Sequence, residues 1–263
     1  MRSLLYVPAD QDRFIAKAHL RGADGVILDL EDAVPEDRKA VARANLGTAI
    51  ASLRQGNGLA AVRINPGDVE DVRAAVAAGA DLIVLPKADG VALDTLAGVL
   101  AAAGVPDQPV LATIEGPAAL LEVAAIARHP NVSALNLGSE DFSLAMGAVP
   151  DPDVLRQPKL MVHYAAKAAG KLSLGLLRSI ADYADLDAIK AAAAEARRHG
   201  FDGSTCVHPS AVPFLNAAFA PSPEELRWAR AVLATSGTVG LDGKMIDKPL
   251  RERAKAILRS ASE

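Results

Sequence analysis

The stretch "GADGVILDLED", Gly22 to Asp32, decides how the rest of the chain is read. Its first glycine suits the end of a helix. The run after it, Gly25 to Leu30, is almost continuously apolar, as a strand of a parallel sheet covered on both faces should be. That run ends in carboxylates, Asp29, Glu31 and Asp32. The same unit recurs along the chain. Apolar runs lie at 3–7 ("SLLYV"), 60–65 ("AAVRIN"), 82–87 ("LIVLPK"), 110–115 ("VLATIE"), 134–138 ("ALNLG"), 172–177 ("LSLGLL") and 204–209 ("STCVHP"), which with 25–30 makes eight. "GAD" returns at 79–81 and "GFD" stands at 201–203, again where a helix should stop and a strand start. Amphipathic segments fill the intervals, among them Asp68–Ala78, Pro117–Arg128, Leu155–Ala169 and Leu186–Arg198. Eight alternating strand–helix units predict a (β/α)8 TIM barrel of the α/β class. A doubly wound open sheet is the alternative, but it usually carries a Gly-rich first turn, and the turn here is "VPADQD".

Composition agrees. Barrels often run to this size, 263 residues, as one domain. Hydrophobic residues make up 51% and aromatics only 3%, so Ala, Val, Leu and Ile must fill the core. A formal net charge of −4 argues against nucleic acid as the main partner. The one cysteine, Cys206, rules out an internal disulfide framework and fits a reducing compartment. No apolar run approaches a membrane span and no N-terminal stretch has the form of a signal peptide, so a cytoplasmic protein is expected. After Pro221 the pattern changes. "SPEELRWARAVLATS" reads as a helix, "GTVGLDGKMID" as a loop, and "KPLRERAKAILRSA" as a final amphipathic helix. The expected division is a barrel over 1–221 and a C-terminal helical and loop extension over 222–263. Within "GLDGKMIDKP" (240–249), Gly240 and Gly243 permit a mobile tip and Pro249 can start the helix that anchors it, the construction of a lid.

In a barrel the active site lies at the C-terminal ends of the strands. The polar residues there are Asp29, Glu31 and Asp32 after the second run, Arg63 and Asn65 on the third, Lys87 on the fourth, Glu115 on the fifth, and Ser139, Glu140 and Asp141 after the sixth. Arg178 and His208 follow the last two. Each has a structural reading. Glu115 and Asp141 suit helix N-termini, Arg63 and Lys87 can neutralise Asp29 and Glu31, and His208 reads as a satisfied core histidine. The set says more than its members. Carboxylates on adjacent strands, near an arginine and without a His/Cys cluster, suit a hard cation such as Mg²⁺, which takes one or two carboxylates and keeps waters.

The motifs "RSLLYVPA", "VILDLEDAV", "VRIN", "VLPK", "IEGPAAL", "LGSEDF" and "VHPS" resemble, in this order, those of citrate lyase beta subunit-like proteins, in the malyl-CoA/citramalyl-CoA lyase branch of the HpcH/HpaI aldolase superfamily. The resemblance covers nearly the whole chain, "DGKMIDKP" included. It implies a Mg²⁺-dependent lyase that cleaves or forms a 3-hydroxyacyl-CoA from acetyl-CoA and a 2-oxo acid, assembled as a homotrimer or homohexamer. By motif, Glu115 and Asp141 match the metal ligands, and Glu115 also faces the substrate. Arg63 matches the arginine beside the thioester oxygen, and Tyr6, Arg13 and Lys17 match positions that hold CoA. Asp247 matches the acid/base at the acetyl methyl group, contributed in trans by a tail that covers a neighbouring subunit's site. Two departures, "GS" at 203–204 and "LGLLRSIADYAD" after the seventh run, line the mouth and leave the acyl group open. Arg178 there reads either a carboxylate or phosphate of the ligand, or pairs with Asp182. A thioesterase using the same ligands, and a subunit acting on an acyl-carrier-protein thioester within a citrate lyase complex, are the alternatives.

Overall fold

A computed structural model describes residues 1–235, 239–241 and 244–261. The chain forms two compact units, Met1–Asn216 and Ala217–Glu263. In the first, the apolar runs become β1 (Ser3–Pro8), β2 (Gly25–Asp29), β3 (Leu59–Arg63), β4 (Leu82–Leu85), β5 (Val110–Ile114), β6 (Val132–Leu137), β7 (Leu172–Ser173) and β8 (Ser204–Cys206). They pair in the order β7-β6-β5-β4-β3-β2-β1-β8, every neighbour parallel. The ring closes between β7 and β8 by a parallel bridge from Leu174 to Gly203, where Gly175 N donates to Gly203 O at 2.9 Å. This is the expected (β/α)8 barrel.

The connections carry α1 (Asp12–Ala18), α2 (Lys39–Leu53), α3 (Val69–Ala78), α4 (Gly90–Ala102), α5 (Pro117–Leu121), α6 (Val123–Ala127), α7 (Ser139–Met146), α8 (Pro152–Ala168) and α9 (Leu186–His199). A tenth helix, α10 (Val212–Phe219), follows β8 and contains the boundary between the units, which therefore falls before the expected 221. Local signals fix the helix ends. Asp68 and Asp185 cap the starts of α3 and α9 with their side chains, and Gly79 (φ 79°) and Gly200 (φ 93°) end them in the left-handed conformation. The barrel interior is aliphatic: Leu4, Ile27, Ala61, Leu82, Val84, Leu111, Ala134 and Leu174 pack together, with Met1, Tyr6 and Leu59 against them. Fully burying one such Leu or Ile is worth about 1.5–3 kcal/mol. Gly203 is required at the seam, since a Cβ there would stand 2.2 Å from Met1 O.

Three expectations need correction. The seventh run leaves the ladder early because Gly175 turns the chain at φ 141°, so Arg178 lies in the following loop. The segment Pro117–Arg128 is two short helices, because the N–H of Glu122 is shared between Ala118 O and Ala119 O, both 3.2 Å. His208 is exposed; its Nδ1 accepts from Ser210 N at 3.3 Å and its ring stacks on Tyr183 at 4.8 Å, so it is no core histidine.

The second unit holds α11 (Pro223–Ala234), β9 (Val239–Leu241), β10 (Lys244–Ile246) and α12 (Lys248–Arg259). The stretch read as a loop thus contains an antiparallel pair, β9 with β10. Gly243 of the expected flexible tip lies outside the described residues. Asp242-Gly243 between two short runs is in fact a hairpin signal. Ala229, Val232, Ile246, Ala254 and Ile257 make this unit's core. Ser222 and Glu225 form a capping box at the start of α11. At the other end, Asp247 caps α12, accepting from Leu250 N at 3.2 Å.

Candidate active site

The C-terminal ends of the strands converge on a cavity of about 420 Å³ whose lining includes Tyr6, Asp29, Arg63, Glu115 and Asp141. Arg63, at the end of β3, grips Asp29 of β2 with both prongs: Nε to Oδ1 at 2.6 Å and Nη2 to Oδ2 at 2.5 Å. The register places these two residues side by side. Nη1 lies 2.7 Å from Glu31 Oε2, an ion pair outside hydrogen-bond geometry, and donates to Asp32 at 3.4 Å. The guanidinium also sits over the Tyr6 ring, 5.0 Å from its centroid. Across β4, Lys87 Nζ donates to Glu31 Oε1 at 2.8 Å, and its backbone N–H donates to Glu115 Oε2 at 3.1 Å. That N–H is aimed by a left-handed backbone (φ 49°), a conformation a lysine adopts only when its surroundings hold it.

Glu115 follows β5 and is 7% exposed. Its side chain occupies the space beside Gly138, where a Cβ would stand 2.6 Å from Glu115 Cγ. Asp141, in the first turn of α7, lines this cavity and also a wider groove of about 770 Å³ that runs out past Lys87, Asp89 and Glu122. Glu115 and Asp141 therefore stand where the two spaces meet.

Negative charge is in excess here. Burial, then the nearby Glu31, and Asp141 push the Glu115 carboxyl up to about 7, against the partial relief from Lys87. Burial also raises Glu31. Burial works against the charge on Arg63, but the hydrogen bond to Asp29 and the surrounding anions outweigh it and raise its pKa. A divalent cation between Glu115 and Asp141 would relieve this crowding. Among the described residues no three His, Cys, Asp or Glu side chains converge into a ready cage. Two carboxylates completed by water and substrate oxygens are the donor set Mg²⁺ accepts.

Of the residues expected from sequence, the fold gathers Tyr6, Arg63, Glu115 and Asp141 on one cavity. Arg13 and Lys17 lie apart, exposed on one face of α1, with the Arg13 guanidinium 4.5 Å from the Phe14 ring centroid. Asp247 belongs to the second unit. Arg178 pairs with Asp182 at 3.2 Å. Four residues were missed: Gly138, Thr113, Asn136 and Lys159. Thr113 and Asn136 carry a sequence signal, a polar residue inside an apolar run. Lys159 carries one too, since it falls on the buried stripe of α8 with Leu155, Val162 and Ala166.

The family described as HpcH/HpaI aldolase/citrate lyase matches residues 2–209. The chain belongs to this family. Among its relatives is a (3S)-malyl-CoA thioesterase of Cereibacter sphaeroides, 34% identical over 94% of this chain and 89% of that one. Another is a citrate lyase subunit beta-like protein of Mycobacterium tuberculosis, 32% identical over 98% and 95%. The crystal structure of CitE from M. tuberculosis in complex with magnesium, acetoacetate and coenzyme A superposes with a TM-score of 0.81 at 30% identity, covering 100% of both chains. The family is one of enzymes, and no described helix is long and apolar enough to cross a membrane.

Proposed function

We propose that this protein is a Mg²⁺-dependent carbon–carbon lyase that cleaves or forms a 3-hydroxyacyl-CoA, such as malyl-, citramalyl- or citryl-CoA, from acetyl-CoA and a 2-oxo acid. The observation that carries this is the convergence of Arg63, Glu115 and Asp141 on one cavity at the C-terminal end of the barrel. Glu115 and Asp141 would hold the metal, which would supply Lewis-acid polarisation at the oxo-acid oxygen. Arg63 acts on the other half of the substrate. In cleavage the 3-hydroxyl gives its proton to a base, and the C–C electron pair passes to an enolate on acetyl-CoA. A guanidinium already fixed by Asp29 and Glu31 stabilises that charge without reorganising. Tyr6 backs the guanidinium and faces the thioester, while Arg13 and Lys17 offer exposed charges to the CoA phosphates.

The enolate carbon needs an acid, and in this reading Asp247 of a neighbouring subunit supplies it within a trimer or hexamer. Two inactive variants, Asp141→Ala and Asp247→Ala, mixed under subunit exchange, then regain activity; no recovery despite exchange removes Asp247 from a shared site.

The thioesterase relative favours a second reading, hydrolysis of the same thioester with the same ligands. Product analysis separates them. Free acetyl-CoA plus oxo acid establishes the lyase; free CoA plus hydroxy acid establishes the thioesterase. Activity only on an acyl-carrier-protein thioester points to a subunit of a complex.

A further inference from the structure

Three buried polar side chains, two from β5 and β6 and one from α8, line the cavity that Arg63 also lines. Thr113 is 4% exposed, Asn136 6% and Lys159 4%. All three line the space that Arg63, Glu115 and Asp141 also line. Thr113 and Asn136 stand opposite each other in the β5–β6 register, one step along from Leu111 and its neighbour Ala134 of the interior aliphatic layer. Thr113 Oγ1 and Asn136 Oδ1 have no hydrogen-bond partner. Which end of the Asn136 amide faces the cavity is open to the ligand, since its two ends interchange by a flip.

Lys159, on α8, lines the same cavity. Among the described residues no carboxylate comes within ion-pair distance of its Nζ. The nearby acid is Glu140, whose Oε1 already accepts from Ser179 Oγ at 2.5 Å. Two cations line this cavity, Arg63 and Lys159, and the first is committed to Asp29, Glu31 and Asp32. A buried ammonium without an anion is costly, and unsatisfied buried hydroxyls and amides are rare. Two orphaned oxygens and an ammonium without an ion-pair partner, all lining one cavity, describe a site whose partner arrives with the ligand.

We propose that Lys159, Thr113 and Asn136 form the subsite that reads the substituent of the 2-oxo acid, and that it selects a second carboxylate over hydrogen or methyl. This rests on the lyase reading. The ammonium, the hydroxyl and the amide provide donors for a carboxylate. A methyl group would leave all three unpaired, and a site built to pair a polar group discriminates strongly against its absence. A CoA phosphate does not fit this place, because all three groups are buried, whereas CoA must leave through the mouth of the barrel. Burial lowers Lys159 only to about 8, so the free protein still presents a mostly charged ammonium at neutral pH.

The test compares oxaloacetate with pyruvate, binding in the presence of Mg²⁺ by calorimetry, and citryl-CoA with citramalyl-CoA in turnover. Wild type binds oxaloacetate more tightly, and Lys159→Met lowers the oxaloacetate-to-pyruvate affinity ratio by about 10- to 100-fold, the scale of one charge-assisted hydrogen bond. Thr113→Val lowers the same ratio by less and serves if the lysine variant does not fold. Equal affinities in wild type, or a ratio unchanged in both variants, overturn the assignment. If wild type cleaves its thioesters without preferring the extra carboxylate, the subsite falls and the lyase reading stands. If it cleaves none of them into acetyl-CoA and oxo acid, both fall.

Discussion

The two sides of the barrel mouth treat buried polar groups in opposite ways. On the β2–β4 side every charge has a partner: Asp29 with Arg63, Arg63 with Glu31, Glu31 with Lys87, Lys87 with Glu115. On the side of β5, β6 and α8, Thr113 and Asn136 leave oxygens unpaired and Lys159 faces no ion-pair partner among the described residues. The first side is paired before any ligand arrives, as preorganised electrostatic stabilisation requires, although Glu31 Oε2 accepts no hydrogen bond. The second is left incomplete, so binding completes it and the ligand's chemistry is selected there. Substitutions on the first side should therefore cost both turnover and stability. Those on the second should change preference.

The largest effect expected on the paired side is that of Arg63→Lys. Lysine keeps the charge but loses the planar fork that holds Asp29 by two bonds. We expect kcat to fall on the order of 10²-fold, the scale of one lost preorganised donor. Partial loss of the buried pair should lower unfolding free energy by about 1–3 kcal/mol. Steady-state kinetics and denaturant titration read the two separately. Near-native kcat with lowered stability would make Arg63 a structural clip of Asp29 and would break the contrast between the two sides.

Much of the paired side was legible in the sequence because its members sit at strand ends, where eight repeats of one pattern fix each position. Arg63 after "AAV" and Glu115 after "LATI" follow directly once the barrel is recognised. The pairings Arg63–Asp29 and Lys87–Glu31 were the structural readings of those same residues, and they occur. What was not legible depends on contacts across elements. Lys159 lies on a helix that sequence alone places only as amphipathic, and its reach into the barrel depends on how α8 packs on β6 and β7. Gly138 was invisible for a similar reason: its φ of −75° is ordinary, and only the approach of Glu115 makes a side chain impossible. The pairing of β9 with β10 was missed because both strands are too short to show alternation.

Gly138 gives a sharper test of the side on which Glu115 is fixed. In Gly138→Ala the new Cβ would stand 2.6 Å from Glu115 Cγ and 2.9 Å from Oε1, so the carboxylate must move. A displaced ligand should weaken Mg²⁺ binding by about 10-fold, comparable to the loss of a supporting contact at a metal site. The backbone conformation itself tolerates alanine, so stability should change by under ~1 kcal/mol. Calorimetric Mg²⁺ titration with a parallel melt decides it. Unchanged affinity would mean that Glu115 is not a ligand.

The smallest effect concerns the proton on Glu115. Its ordinary pKa is 4.5 and the fold raises it to about 7, chiefly by burial and then by Glu31. A carboxyl raised in this way gives stability that is fully present below the unfolded value and is lost as pH climbs through the folded one. Between about 4.5 and 7 the folded state keeps a proton that the unfolded chain has released, so the metal-free protein weakens across that window and levels off above it. Glu115→Gln removes this one contribution while keeping an oxygen for the Lys87 N–H. The variant should match wild type near pH 5 and exceed it by about 1–3 kcal/mol near pH 8 without metal. Adding Mg²⁺ should reverse the order, because binding stabilises only the protein that keeps its ligand. Since the metal must displace that proton, wild-type affinity for Mg²⁺ should also rise from pH 6 to pH 8, and most of the gain should be complete a little above 7. Stability curves that run parallel in the two proteins from pH 5 to pH 8 would show that Glu115 carries no displaced proton, and the carboxylate crowding at the mouth would then have to reside in Glu31.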